Sequence, residues 1–196
     1  LPLLLAEIKA KTDIMEFRPK VSQLHFGGGT PNYLRLSDWD ILFAGLHKHF
    51  EFTPDAEISV ELDPAVLTDG YLPHLKKLGF NRVSYGVQDV TPKVLEAVNR
   101  PQDVGRIKDI VAESRALGYS SVNIDLIYGL PHQTNESYKA NLDFIGELRP
   151  ERIALFSYAH VPWLKHHQRR MDAAALTEPT EKLRIYLSAR THFASL

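Results

Sequence analysis

The feature that most constrains the fold is an alternation. Five short segments, "VSQLHF" (21–26), "AEISVEL" (56–62), "NRVSYGV" (81–87), "SVNIDLIYG" (121–129) and "RIALFSY" (152–158), are apolar, rich in β-branched residues and bounded by breakers. Between them lie helical patterns. Strands separated by helices cannot be joined by hairpins. They imply a parallel sheet with right-handed crossovers. Five such strands at roughly 30-residue spacing fit a barrel or part-barrel better than a short open sheet.

The helical patterns carry their own punctuation. Ser37 reads as the cap of a helix with Trp39, Leu42, Phe43, Leu46 and Phe50 on one face. Thr91 with Pro92 starts a short helix containing Val94, Leu95 and Val98. Asp103 caps another, with Ile107, Ile110, Val111 and Leu117 inward and Gly118 as its stop. Thr134 or Asn135 opens a fourth, with Tyr138, Leu142, Ile145 and Leu148, ended by Pro150. After Ala159 the pattern loosens. The stretch "PWLKHHQRRMDAAALTEP" reads as a polar helix and connection, followed by a last helix from about Thr180. No linker or repeat divides the chain, so residues 1–196 read as one domain, the sheet reaching to about 160 and a helical extension running over 161–196.

Composition narrows the function classes. With 23 basic and 24 acidic side chains and a net charge of -1, neither nucleic acid nor an anionic membrane is expected as main partner. No apolar run approaches the roughly 20 residues of a membrane span. The apolar opening "LPLLLAEIKAKTDI" lacks the flanks of a signal peptide, which points to a cytoplasmic protein. The 196 residues contain no cysteine, which removes thiolate metal ligands and cysteine nucleophiles from this chain. The nine histidines show no metal-ligand spacing, and no metal site is expected among them. The chain begins at Leu1 without methionine and ends at Leu196 within a helical pattern, so it reads as a piece of a longer protein.

In parallel α/β folds ligands sit beyond the carboxyl ends of the strands. The first strand is followed by Gly27-Gly28-Gly29-Thr30-Pro31, and the second ends in Glu61 with Asp63-Pro64 beyond. The third runs into Gly86-Val87-Gln88-Asp89. The fourth carries Asp125 and then Gly129-Leu130-Pro131, and the fifth ends in Ser157-Tyr158-Ala159-His160. Small or hydrogen-bonding residues at every strand end describe a polar ligand site on one rim. Glycines expose backbone groups suited to a zwitterionic amino acid. Carboxylates such as Glu61 and Asp125 accept from hydroxyl or ammonium groups, and Arg100 can pair with a carboxylate. Each residue also has a plainer reading: turn geometry for the glycines, a hydrogen-bonded core carboxylate for Asp125, a helix cap for Gln88 and Asp89, a solvated helix end for Asn99-Arg100. His25 reads as a packed core histidine, and His166, His167, Arg169 and Arg170 as an exposed face.

Six strings, "HFGGGTPNYL", "EISVELDP", "FNRVSYGVQD", "VNRPQ", "NIDLIYGLPHQT" and "FSYAHVP", together resemble the oxygen-independent coproporphyrinogen III oxidases, radical S-adenosylmethionine (SAM) enzymes of heme biosynthesis. The resemblance runs in order from about Leu24 to Pro162. It implies an α/β fold: a partial (β/α)6 TIM-like barrel whose strands two to six are present here. It implies an oxidoreductase that converts two propionate side chains of coproporphyrinogen III to the vinyl groups of protoporphyrinogen IX. It also implies two SAM molecules, an electron donor, a monomeric protein, and a 4Fe–4S cluster whose C-x3-C-x2-C ligands are absent from this chain. By matched motifs, Gly28 and Glu61 would serve the cluster-bound SAM. Gly29, Thr30, Gln88, Arg100, Asp125 and Ala159 would line the second, and no side chain need act as nucleophile or general base. The 196 residues alone are expected to hold no cluster and to be inactive. The rival readings are a related heme-trafficking chaperone, against which "ELDP", "VNRPQ" and "YAHVP" speak, and an unrelated barrel with a phosphate on its glycine loop, against which the lack of a basic residue before Arg35 speaks.

Overall fold

Every strand read from the pattern forms. The computed structural model describes residues 1–196, the side chain of His167 excepted. In chain order the elements are α1 (Pro2–Asp13), β1 (Lys20–Phe26), α2 (Leu36–His49), β2 (Glu51–Leu62), α3 (Tyr71–Lys77), β3 (Arg82–Gln88), α4 (Pro92–Ala97), α5 (Val104–Ala116), β4 (Ser121–Tyr128), α6 (Asn135–Leu148), β5 (Arg152–Ser157) and α7 (Pro179–Phe193). The strands make a five-stranded sheet in the order β1-β2-β3-β4-β5. The β1–β2 and β4–β5 pairs are parallel, and sheet order equals chain order, as successive crossovers of one hand produce.

The chain divides into two compact units. The first comprises Leu1–Ser84 and Ala112–Val122. Its core is aromatic. Trp39 is fully buried and meets the Phe26 ring edge-on at 4.9 Å and the Phe80 ring at 5.4 Å. Phe43 packs on Phe80 at 5.2 Å. The helical period explains this: Trp39, Leu42, Phe43 and Leu46 are the buried residues of α2, three and four apart. Removing a ring such as Trp39 from such a core typically costs about 3–5 kcal/mol. Its indole N–H also donates to the Tyr71 hydroxyl at 2.5 Å, and that hydroxyl donates to the Leu34 carbonyl at 2.9 Å. A buried polar atom is thereby satisfied without water.

The second unit comprises Tyr85–Val111 and Asn123–Leu196. Here Tyr138 and Leu142 of α6 pack with Ile185 and Ala189 of α7, joined by Tyr128, Leu155 and Phe193. Thr134, not Asn135, is the N-cap of α6. The Ser137 amide donates to Thr134 Oγ1 at 3.0 Å while the Thr134 amide donates to Ser137 Oγ at 2.9 Å, a reciprocal box that satisfies two orphan donors.

Several expectations are corrected. The second helix begins at Leu36 with Arg35 at the cap position, which places Ser37 inside the first turn rather than at the cap. Arg35 instead bridges to Asp38 through two hydrogen bonds of 2.9 and 3.1 Å. The stretch read as a polar helix after Pro162 forms two 3₁₀ turns, His166–Arg170 and Ala173–Ala175. His166, Arg169 and Arg170 are exposed as expected, while the His167 side chain lies outside the described residues. No helix among the described residues is long and apolar enough to cross a membrane.

Candidate functional site

In the first unit the site is built at the ends of β1 and β2. The parallel register sets His25 beside Ser59 and Phe26 beside Val60, so the chain leaves β1 at Gly27 next to Glu61. A Cβ on Gly27 would lie 2.7 Å from the Glu61 carboxylate carbon. Only glycine lets that carboxylate rest against the backbone. Gly28 has φ +85° and its amide donates to Glu61 Oε2 at 3.2 Å. Gly29 faces open space. Thr30 stands apart from Glu61's hydrogen bonds and heads the turn Pro31–Tyr33, its carbonyl accepting from the Tyr33 amide at 3.0 Å.

His25 corrects the expectation of a packed core residue. Its side chain is 56% exposed, with Nε2 3.3 Å from Glu61 Oε1 and Nδ1 2.9 Å from Ser59 Oγ. Alternation along the strand explains the difference: Leu24 and Phe26 turn to the half-buried side, and His25 turns to the other. The sequence reading missed Asn32. Its buried amide donates to the Asp63 carbonyl at 2.9 Å and accepts from the Asp63 amide at 3.0 Å, fastening the loop after β1 to the loop after β2.

In the second unit the structure brings Gln88 and Arg100 together around Gly86. Arg100 Nη2 donates to the Gly86 carbonyl at 2.9 Å. A Cβ on Gly86 would lie 2.9 Å from Gln88 Nε2 and 3.2 Å from Arg100 Nη2. Gln88 itself has φ +69°, a left-handed conformation that a non-glycine residue adopts only under constraint. Its Oε1 is buried and accepts from no group of the chain. Asn99 is also left-handed, φ +52°. It ends α4 so that the Arg100 amide returns to the Leu95 carbonyl at 2.9 Å. Asn99 is exposed, as a solvated helix end would be, but Arg100 is half-buried and the turn aims it back at the sheet.

Asp125 lies half-buried in β4 and accepts from Asn123 Nδ2 at 2.6 Å. Ala159 is exposed just beyond β5, and its carbonyl accepts from Gln168 Nε2 at 3.0 Å. Gln168 was not foreseen. It is buried, and its Oε1 also accepts from the Val161 amide at 2.5 Å, which ties down the segment after β5. Lys182 of α7 was missed as well. It donates to the Tyr158 carbonyl and lies 5.8 Å from the centre of the Tyr128 ring, and burial lowers its pKa. Neither residue had a local signal, because each acts across a turn or from another element.

The fit to S-adenosylmethionine is favourable within each unit. A carboxylate against a glycine backbone, a buried carbonyl oxygen without a donor, and a half-buried guanidinium are acceptors and donors of the kind an amino-acid moiety needs. The fit to an iron–sulfur cluster is not. Its usual ligands are cysteine thiolates, and the 196 residues include none.

Polar groups at the carboxyl ends of parallel strands define a ligand-binding α/β protein. A family model described as the radical SAM superfamily matches residues 2–145, and the chain belongs to that superfamily. Oxygen-independent coproporphyrinogen III oxidase of Synechocystis sp. is 41% identical over 179 residues, 91% of this chain and 38% of that protein. The protein of the same name from Escherichia coli strain K12 is 47% identical over 165 residues, 84% of this chain and 36% of that protein. The chain thus spans 36–38% of the length of these curated relatives. Among solved structures, coproporphyrinogen III oxidase (HemN) from Escherichia coli, described as a radical SAM enzyme, matches at a TM-score of 0.94 and 42% identity, over 98% of this chain and 44% of that one. Archaeal Elp3 from Methanocaldococcus infernus shares the fold alone, with a TM-score of 0.66 at 16% identity over 95% of this chain and 48% of that one. The expected fold class, a parallel α/β partial barrel of the radical SAM type, is borne out.

Proposed function

We propose that this chain is the SAM-binding core of an oxygen-independent coproporphyrinogen III oxidase, an oxidoreductase of porphyrin biosynthesis that acts in the cytoplasm as a monomer with an external electron donor. The observation that carries this reading is the identity of 47% across 84% of the chain to a protein of that name. The chaperone alternative has no such support, since the relatives described above are named for the oxidase.

Two SAM molecules are proposed. In the first unit Gly28 would present its backbone and Glu61 a carboxylate that already accepts one backbone N–H to the first SAM, while Gly29 and Thr30, which offer backbone and hydroxyl groups, are assigned with Gln88, Arg100, Asp125 and Ala159 to the second. An ammonium group can replace His25 at that carboxylate. In the second unit Arg100 offers a guanidinium for a carboxylate, Gln88 a buried oxygen for an N–H or O–H, Asp125 an acceptor for a hydroxyl, and Ala159 its backbone. A bound SAM would supply the hydrogen-abstracting chemistry only when given one electron by a reductant that this chain's residues do not hold. The chain's residues bind and orient it. The tetrapyrrole substrate comes to this reading from the relatives alone.

Equilibrium dialysis of the chain against labelled SAM tests the reading. Arg100→Ala and Asp125→Ala are each expected to weaken binding at least about tenfold, roughly 1.4 kcal/mol, with the fold intact by circular dichroism. Unchanged affinity in both variants refutes the assignment.

A further inference from the structure

The turn that carries Gln88 is held from outside the strand. The Asp89 amide donates to the Val87 carbonyl at 2.8 Å. With Gln88 at φ +69°, this is the rare and strained form of γ-turn. Such a turn persists only where its surroundings over-determine it. The next residue supplies the hold. Asp89 is fully buried, and its carboxylate accepts from the Thr91 amide at 2.5 Å, Gln133 Nε2 at 2.6 Å and Asn141 Nδ2 at 3.0 Å. Asn141 Oδ1 in turn accepts from the Val90 amide at 3.0 Å.

Gln133 is the hub of this network. It is 3% exposed. Besides Asp89, its Nε2 donates to the Ile127 carbonyl at 3.0 Å, and its Oε1 accepts from the Gly129 and Leu130 amides at 2.6 and 2.9 Å. Both amide protons and both oxygen lone pairs are used, the full capacity of a glutamine. One side chain thus fixes the loop after β4 and, through Asp89, the turn after β3. A glutamine used only to fill a core would not spend every hydrogen bond on backbone and one carboxylate at two strand ends.

We propose that Gln133 is the positioning residue of the second unit's binding groups: it keeps Gln88 in its left-handed turn beside Arg100 and thereby sets SAM affinity. The second half rests on the SAM reading above; the first does not. Two measurements separate them. Amide hydrogen exchange reads the turn directly at the Asp89 and Val90 N–H groups, and dialysis reads SAM.

Gln133→Ala is expected to speed exchange at Asp89 and Val90 about tenfold or more and to weaken SAM binding about fivefold or more. Gln133→Glu keeps the volume and the acceptor oxygen but loses the donor to Asp89, and is expected to do the same. Leu142→Ala, a core truncation in the same unit, is the control for general destabilisation and is expected to leave both readouts near those of the parent. Unchanged exchange at Asp89 and Val90 in both Gln133 variants overturns the proposal, as does an equal change in Leu142→Ala. If exchange changes as expected but SAM affinity does not, the affinity half is overturned. If Arg100→Ala and Asp125→Ala also both leave SAM affinity unchanged, the SAM reading itself fails, and exchange still decides the role of Gln133 in the turn.

Discussion

Glu61 and Asp89 are two carboxylates at the ends of successive strands, β2 and β3, and they are held in opposite ways. Glu61 is 43% exposed, accepts from one backbone amide and meets one histidine. Asp89 is fully buried and accepts three hydrogen bonds, two of them from residues 44 and 52 positions away. A lightly held carboxylate can exchange partners with a ligand at little cost, since exposed ion pairs contribute about 0–1 kcal/mol. A saturated buried one cannot move without stranding its donors. The sequence pattern "acid at a strand end" therefore covers two different devices: one free to exchange its partners and one that shapes the backbone beside it.

The largest expected effect tests that division. Asp89→Ala removes the acceptor of two buried amides and is expected to lower stability by about 3 kcal/mol, read by urea denaturation. Glu61→Ala is expected to change stability by no more than about 0.5 kcal/mol. Equal losses in the two variants would break the comparison.

A smaller effect sharpens it through the two glycines. Gly27→Ala would place a Cβ 2.7 Å from the Glu61 carboxylate, whose half-exposed end can swing into solvent. Gly86→Ala would place one 2.9 Å from Gln88 Nε2 and 3.2 Å from Arg100 Nη2. Those groups have less room, because Gln88 is confined by its turn and Arg100 by its bond to the Gly86 carbonyl. Gly86→Ala is expected to lose about 1–2 kcal/mol in thermal melts, and Gly27→Ala less than about 0.5 kcal/mol. Both are expected to weaken SAM binding. Equal stability for the two variants would mean that the Gln88 turn is no more rigid than the Glu61 side chain.

The same division explains what could be read from the residues. The five strands were legible because apolar alternation and flanking breakers are local signals, and the observed strands fall within a few residues of the expected ones apart from β2, which starts at Glu51. Helix α1 was not read because none of its residues is buried, so it has no apolar stripe to detect. Helix α3 was not read because it is seven residues long, too few for a period to show, and is entered through a left-handed Gly70 without the Thr-Pro start that marks the still shorter α4. The segment after Pro162 misled because its composition favours a helix, while the bonds that set its turns come from Gln168 and from Asp172, whose carboxylate accepts from the Ala174 amide at 2.9 Å. In the site, Gly28, Glu61, Gln88 and Arg100 lie inside recognisable strings. Asn32 and Gln133 lie inside such strings too, yet their roles were hidden, because a buried amide declares its function only through partners distant in sequence.

The smallest expected effect concerns a third carboxylate, Glu181 of α7, which lies between Glu61 and Asp89 in exposure and, like both, accepts from a backbone amide. Its Oε1 accepts from the Asn135 amide, the first residue of α6, at 2.6 Å, and Arg184 lies 3.2 Å from its other oxygen. The Asn135 amide holds its carboxyl below the ordinary value of 4.5; burial opposes this, and Arg184 adds smaller lowering effects. A pKa depressed on folding gives stability that is complete above the unfolded value and is lost as pH falls through the folded one. The stability difference between the parent chain and Glu181→Gln, measured by urea denaturation across pH, should therefore be positive near neutrality and shrink towards zero as the pH drops below 4.5. A difference that stays constant into acid would show that the amide is served equally by a neutral oxygen, and would place Glu181 with the carboxylates whose charge the fold does not use.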